Sequence, residues 1–252
     1  MIWEMWNLFL ERSDFFADLL WEHLGISLLA IVIAVLIGGA AGILISEVRG
    51  AAKPTLGVVS FLYTIPSISM LGFLIPFSGV GNATAVIALT VYALLPMVRN
   101  TYAGMTNVDP AILEAAKGMG STRMQVLFKI RLPLAMPVIM SGIRSMVTMT
   151  IALAGIASFI GAGGLGVAIY RGITTNNTAM TMDGSLLIAL LALLMDFLLG
   201  IVERRMTKRS AEAKKVNHRI AAAVLVLCLA GAGVGMFRTR TGDTVHIATK
   251  PM

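Results

Sequence analysis

The sequence predicts an all-α membrane protein, with five core transmembrane helices and a sixth on their C-terminal side. Only 13% of the 252 residues are charged, about half the share in soluble domains, and 57% are hydrophobic. Uncharged stretches recur that are long enough to cross a bilayer, without the alternation typical of barrel strands. This composition excludes an ordinary soluble domain and a disordered chain.

Charged residues and helix breakers divide the apolar sequence into six spans. We place them at 24–46, at two positions within 54–98, at 134–158, at 186–202 and at 220–237. Pro76 to Asn82 interrupts the long second stretch, so a tight turn separates spans two and three. The membrane domain is then 23–205, and 206–219 is a basic loop ahead of the last span.

The first 22 residues predict a helix that lies in the membrane interface. Trp3, Trp6 and Trp21 alternate with acidic residues such as Glu4 and Glu11. A basic start is absent, which argues against a signal peptide.

The distribution of the cations predicts the orientation. Most of the 20 lysines and arginines follow spans one, three and five, where cytoplasmic loops concentrate positive charge. Both termini are therefore expected outside the cell. The run from Arg204 to Arg219 sets topology or, alternatively, senses ionic strength against anionic lipid.

The loop after span three has the character of a folded hairpin. Asp109 and Pro110 form a good helix start, and Glu114 suits the first turns. Gly118 and Gly120 allow a sharp turn. A second helix is expected at 121–130 and should end at Leu132-Pro133. From these residues alone, a docking element and a hairpin that packs on its own bundle are equally open.

The same loop resembles the EAA motif of ATP-binding cassette importer permeases. Glu114-Ala115-Ala116, then Gly120, Ile130 and Leu132-Pro133, match that motif at its spacing. The Tyr63–Ser67 and Ala157–Gly166 segments are similar to the osmoprotectant branch of these permeases. The resemblance implies a type I importer permease whose coupling helices, about 108–130, dock on the ATPase. The residues it assigns to coupling are Asp109, Glu114, Ala115, Ala116, Gly120, Ile130, Leu132 and Pro133.

The resemblance also implies partners and a substrate class. It predicts a homodimer in a bacterial plasma membrane, two ATPase subunits that carry ATP and Mg, and a fused or separate substrate-binding domain. Expected substrates are glycine betaine, carnitine, choline or ergothioneine. The chain lacks a phosphate-binding GxxxxGK[ST] loop, so we expect no catalytic residue, no enzyme activity and no cofactor of its own. Nucleic acid is not an expected partner.

Two groups of residues are candidates for the substrate pathway. Pro66 should interrupt span two beside Tyr63 and Ser67, and a broken helix can line a path. Gly161, Gly163, Gly164 and Gly166 form either an outer gate or a re-entrant loop that only closes the bundle. His23, His218 and His246 lack ligand spacing and predict no metal site.

Arg144 and Asp196 are charges inside predicted spans. Arg144 lies about 16 Å and Asp196 about 10 Å from the same membrane face, at about 1.5 Å per helical residue. Buried membrane charges pair or face water, so we expect these two to pair or to line one cavity. Gly38 and Gly42 predict close helix packing instead of a functional site.

The last segment suggests that this chain is the membrane part of a longer protein in which a second domain follows. Thr244 to Ala248 alternates polar and apolar residues, as a half-buried strand does. We therefore expect 238–252 to begin an extracytoplasmic binding domain, with a frayed terminus as the alternative.

From the sequence alone, two other classes of membrane protein remain alternatives. An ion-coupled secondary carrier should show more intramembrane acids and a repeated half. A membrane anchor that recruits a soluble partner would need neither the interrupted span nor the glycine segment.

Overall fold

The computed structural model describes residues 2–48 and 50–211, and all regular secondary structure in these ranges is helical. The predicted sixth span, the loop residues 212–219 and the tail at 238–252 lie outside the described residues. The helices are α1 Ile2–Glu11, α2 Ser13–Glu47, α3 Ala52–Thr64, α4 Ser67–Ser78, α5 Asn82–Thr106, α6 Pro110–Gly118, α7 Arg123–Gln125, α8 Leu132–Ala154, α9 Gly166–Thr174 and α10 Thr178–Ala211.

Within this part of the chain, four helical segments are long and apolar enough to cross a membrane. The short helices α3 and α4 together provide a fifth crossing if they are one span, broken by a 97° bend. The multi-pass character predicted from the sequence is confirmed, and five core spans require that α3 and α4 count as one.

The predicted boundary between an interfacial helix and span one is wrong. The helix break lies at Arg12, and α2 continues from Ser13 through residue 22 to Glu47. No helix breaker separates these residues, and one face is apolar enough to join the bundle. Phe16 and Leu19 are buried while Asp14 and Asp18 are exposed, so this stretch packs on the protein.

The expected end of the second loop helix at Leu132-Pro133 is also wrong. After α7, residues Val126–Arg131 form a π-helical turn that continues directly into α8. A proline ring normally clashes with the carbonyl four residues earlier. The wider π-helical turn lies just before Pro133, where the ring would otherwise break the helix.

Part of the segment expected as a basic loop at 206–219 is helical. Residues 206–211 belong to α10, which is described as far as Ala211. Lysine, arginine, methionine and alanine have high helix propensity, so the charge alone does not end the helix.

Close helix packing at the centre of the bundle depends on glycine. Helix α5 packs between α2 and α8. A Cβ at Gly42 would lie 2.5 Å from Thr101 Cβ, and one at Gly104 would lie 3.0 Å from the Ala135 carbonyl oxygen. A Cβ at Gly38 would likewise lie 3.0 Å from Met97 Cβ. The packing role predicted for Gly38 and Gly42 is therefore confirmed.

We expect Gly42→Ala to lower the amount of folded protein in the membrane. Overpacking of a tight contact costs about 1–3 kcal/mol, and here α2 must move away from α5. The matched control is Gly72→Ala, since a Cβ at Gly72 meets nothing within 4 Å. Thermal aggregation of the detergent-solubilised variants measures the difference, and equal stability of both variants would contradict it.

Candidate translocation and coupling sites

The hairpin at 110–131 is built by local capping. The Asp109 carboxylate accepts a hydrogen bond from Ala111 N at 2.9 Å, and Pro110 occupies the first turn of α6. Gly120 has φ +84°, which allows the chain to turn back sharply. Thr122 then caps α7 in a capping box with Gln125. The helix start and the turn predicted from the sequence are both confirmed.

Contacts with the bundle hold the hairpin in place. Leu113 and Leu127 pack against the main core, and Ala116 is buried. Arg131 donates from Nε to the Met105 carbonyl at 2.7 Å and forms an ion pair with Glu47 at the end of α2. The hairpin is thus tied to α5 and α2, and it continues into α8. A displacement of the hairpin would therefore reach three long helices.

The other surface of the hairpin is exposed and carries large apolar side chains among charged ones. Its exposed large hydrophobic side chains are Ile112, Met119, Met124 and Phe128. Glu114 and Ala115 are exposed beside them, whereas Ile130 and Leu132 are half-buried and Pro133 is exposed. An exposed apolar patch with a charged border is typical of a protein-binding surface.

The break in span two lies at Ile65–Pro66, beside two tyrosines. The Tyr92 hydroxyl donates to the Ile65 carbonyl, and Pro66 precedes the first turn of α4. Tyr63 packs edge-on against Tyr92, with ring centroids 6.0 Å apart, and its hydroxyl lies 3.4 Å from Met149 Sδ. Tyr63 is 40% exposed and Ser67 is half-buried. The interruption predicted at Pro66 is confirmed.

The glycine segment 161–166 lies at the other end of α8, roughly 35 Å from the hairpin along a 23-residue helix. We call these the glycine end and the hairpin end. Gly161 and Gly164 have φ of +76° and +90°. A Cβ at Gly166 would overlap the Gly155 carbonyl, so the chain returns tightly onto the preceding helix.

Two side chains that the sequence analysis gave no role hold this segment, and a third is buried against it. Glu22 Oε2 accepts from Gly164 N at 3.1 Å, and Asn82 Oδ1 accepts from Gly163 N at 2.8 Å. His23 is fully buried below Gly164, with Nε2 3.0 Å from the Ile151 carbonyl oxygen. The sequence carried a signal for Asn82, a polar residue at the start of α5. Glu22 resembled the other acids of an amphipathic helix.

A cavity of about 490 Å³ opens at the glycine end. Its lining includes Glu22, Asn82, Gly163, Tyr170 and Arg171. Charges of both signs and an aromatic ring therefore border one open space.

The two predicted intramembrane charges form a pair. Arg144 donates from Nε to Asp196 Oδ1 at 2.7 Å and from a terminal nitrogen to Oδ2 at 2.6 Å. The other terminal nitrogen of Arg144 donates to Glu203 at 3.0 Å. Gly200 leaves room for the guanidinium, because a Cβ there would lie 3.0 Å from Cζ. The pairing of Arg144 with Asp196 is confirmed, and Glu203 is an addition.

Residues 30–208 match the family model of the binding-protein-dependent transport system inner membrane component. The chain belongs to this family. It is thus a permease of an ATP-binding cassette importer, and ATP hydrolysis is performed by a separate subunit. Family membership favours this function over a secondary carrier and over a membrane anchor.

The relatives of this permease belong to the osmoprotectant branch. It is 42% identical to the carnitine transport permease protein OpuCB of Listeria monocytogenes, over 75% of this chain and 87% of that protein. It is 37% identical to the choline transport system permease protein OpuBB of Bacillus subtilis, over 77% and 90%. It is 42% identical to the osmoprotectant import permease protein OsmW of Salmonella typhimurium, over 75% and 91%.

Solved structures show the same fold. A chain of the MetNI methionine ABC transporter superposes with a TM-score of 0.72 at 23% identity, covering 78% of this permease and 98% of that chain. A chain of an amino acid ABC transporter gives 0.65 at 21% identity, covering 79% and 97%.

Proposed function

We propose that this permease imports a quaternary amine of the glycine betaine, carnitine, choline or ergothioneine class by alternating access. The main support is its 42% identity, over 75% of the chain, to a carnitine transport permease. Relatives for choline and for osmoprotectants match a similar share of the chain. The common chemistry of these solutes is a trimethylammonium group without hydrogen-bond donors.

The broken span supplies a surface suited to such a cation. Quaternary ammonium groups bind aromatic faces, and Tyr63 presents a partly exposed ring braced by Tyr92. One exposed ring gives weak binding, which suits passage. Tight recognition then belongs to a substrate-binding domain, fused to this chain or separate from it.

The hairpin is the contact with the ATPase. Its exposed apolar side chains and Glu114 would lie in a groove of that subunit, and Ala115 lets the partner approach closely. Because α8 begins at the hairpin, movement of the ATPase passes along a rigid helix to the glycine end. ATP and Mg bind only to the partner.

A second copy of this chain would complete the pathway. The break between α3 and α4 leaves helix-end N–H and C=O groups at membrane depth, where lipid offers no hydrogen-bond partner. A second copy and a water-filled path between the copies would cover this face. The glycine end lies outside the cell in this arrangement, together with both termini, and the hairpin end lies in the cytoplasm.

Competition for uptake tests the substrate class. In cells that lack other osmoprotectant importers, excess choline, carnitine or ergothioneine should inhibit the ATP-dependent uptake of radiolabelled glycine betaine. Tyr63→Ala should raise KM several-fold, since cation–π contacts are worth about 0.5–2 kcal/mol, whereas Tyr63→Phe keeps the ring and should not. Inhibition by methionine or histidine alone would contradict the proposed class.

A further inference from the structure

Three hydrogen bonds at the glycine end join separate parts of the chain through two side chains. The Glu22 carboxylate accepts from Asn82 Nδ2 at 3.0 Å and from Gly164 N at 3.1 Å. Asn82 in turn accepts from Gly163 N at 2.8 Å. Helix α2, the start of α5 and the glycine segment are thereby linked over up to 142 positions of sequence.

The glycine segment has few other ways to be held at these positions. Gly163 and Gly164 carry no side chains, and a Cβ at Gly163 would overlap the Glu22 carboxylate. The buried side chains of Ala162 and Leu165 anchor the segment on either side. Between them, the backbone N–H groups of Gly163 and Gly164 donate to Asn82 and Glu22 and hold the two glycines. Each oxygen of the Glu22 carboxylate accepts one of these bonds, from Asn82 Nδ2 and from Gly164 N, so one side chain joins two parts of the chain.

The same side chains border open space. Glu22, Asn82 and Gly163 line the cavity, and both side chains are only half-buried. Water in the cavity can replace the protein partners when the bonds separate, so opening leaves no buried polar group unpaired.

We infer that Glu22 and Asn82 are positioning residues that hold the glycine segment closed over the pathway. This pair is called the latch. Opening of the permease at this end separates the latch, and closing restores it. The inference rests on the proposed alternating access, takes the glycine segment as an outer gate instead of a re-entrant loop, and adds the two side chains that control the gate.

A reciprocal exchange of the two side chains tests the latch. In Glu22→Gln, a single acceptor oxygen serves two donors, and in Asn82→Asp two carboxylates face each other. The double variant Glu22→Gln/Asn82→Asp restores all three bonds, because the amide now at position 22 donates to the carboxylate now at position 82, which still accepts from Gly163 N. The total charge is the same as in the original protein. Glu11→Gln, at an exposed acid of α1, is the control.

The readout is the accessibility of a cysteine placed at Ala162, which is 2% exposed. The only native cysteine, Cys228, is first changed to serine. A membrane-impermeant maleimide is added to right-side-out and to inside-out vesicles in the absence of ATP and substrate. We expect labelling to be several-fold faster in each single variant, only from the outer side, and slow again in the double variant and in Glu11→Gln.

Equal labelling of all variants would overturn the latch, as would fast labelling in the double variant. If the single variants do not reach the membrane, the double variant alone tests the latch. It should reach the membrane, label slowly and be active in uptake, and failure in any of these would overturn the latch. Because labelling uses no substrate, failure of betaine uptake in the original protein would reject the proposed function without changing this result.

Discussion

Glu114→Lys and Gly120→Val should each leave the permease in the membrane and abolish most of its uptake. Glu114 is exposed on the hairpin, so reversing its charge changes the docking surface without disturbing the core. Gly120 has φ +84°, a conformation that a β-branched residue rarely adopts, so valine there should distort the turn between α6 and α7. Co-purification of the ATPase subunit with the tagged permease measures the loss.

Two variants act as controls for the hairpin. Gly57→Val lies in α3, outside the hairpin, where a Cβ meets nothing within 4 Å and the φ of Gly57 is not positive. Asp14→Lys reverses an exposed acid near the start of α2, away from the hairpin. Both should retain the ATPase and transport. Normal uptake in Glu114→Lys and Gly120→Val would reject the coupling role of the hairpin.

Asp196→Asn should reduce both the amount of folded permease and the uptake per molecule. The change removes the carboxylate that holds two nitrogens of Arg144 and leaves that guanidinium with less compensation inside the membrane. Glu203→Gln should have a smaller effect, because Glu203 bonds a single nitrogen of Arg144. Quantified immunoblots of membranes, together with initial uptake rates, separate the two effects.

Exchange of the two charges is the decisive comparison for this pair. Arg144→Asp combined with Asp196→Arg keeps one opposite-charge contact between α8 and α10, and should recover part of what Asp196→Asn or Arg144→Asp loses. Recovery is incomplete for two reasons. Aspartate is shorter than arginine, and Gly200 on α10 makes room for a guanidinium that approaches from α8 and not for one carried by α10 itself. Additive losses in the double variant would show that the two residues act independently.

Local signals and depth along a helix explain what could be predicted from the sequence. Asp109-Pro110 and Gly120 determine their own conformation through capping and φ, so the hairpin follows from neighbouring residues. The pairing of Arg144 with Asp196 follows from similar depth and from the cost of an unpaired membrane charge.

The residues that escaped prediction act through tertiary contacts. Glu22 bonds a backbone N–H 142 positions away, and no local pattern distinguishes it from Asp14 or Asp18. Leu132-Pro133 is typical of a helix end, and the π-helical turn that precedes it carries no local sequence signal. The boundary missed at 22 and the missed contacts of Glu22 both lie in the first turns of α2, which pack on the bundle through Phe16 and Leu19.

Reconstitution of the permease with its ATPase subunits and binding domain in proteoliposomes tests the central claim most directly. Glycine betaine should accumulate inside the vesicles only when ATP is hydrolysed, and its addition should stimulate ATP hydrolysis. Glu114→Lys should abolish both effects. Betaine uptake driven by an ion gradient without ATP, or hydrolysis unaffected by every quaternary amine offered, would contradict the account.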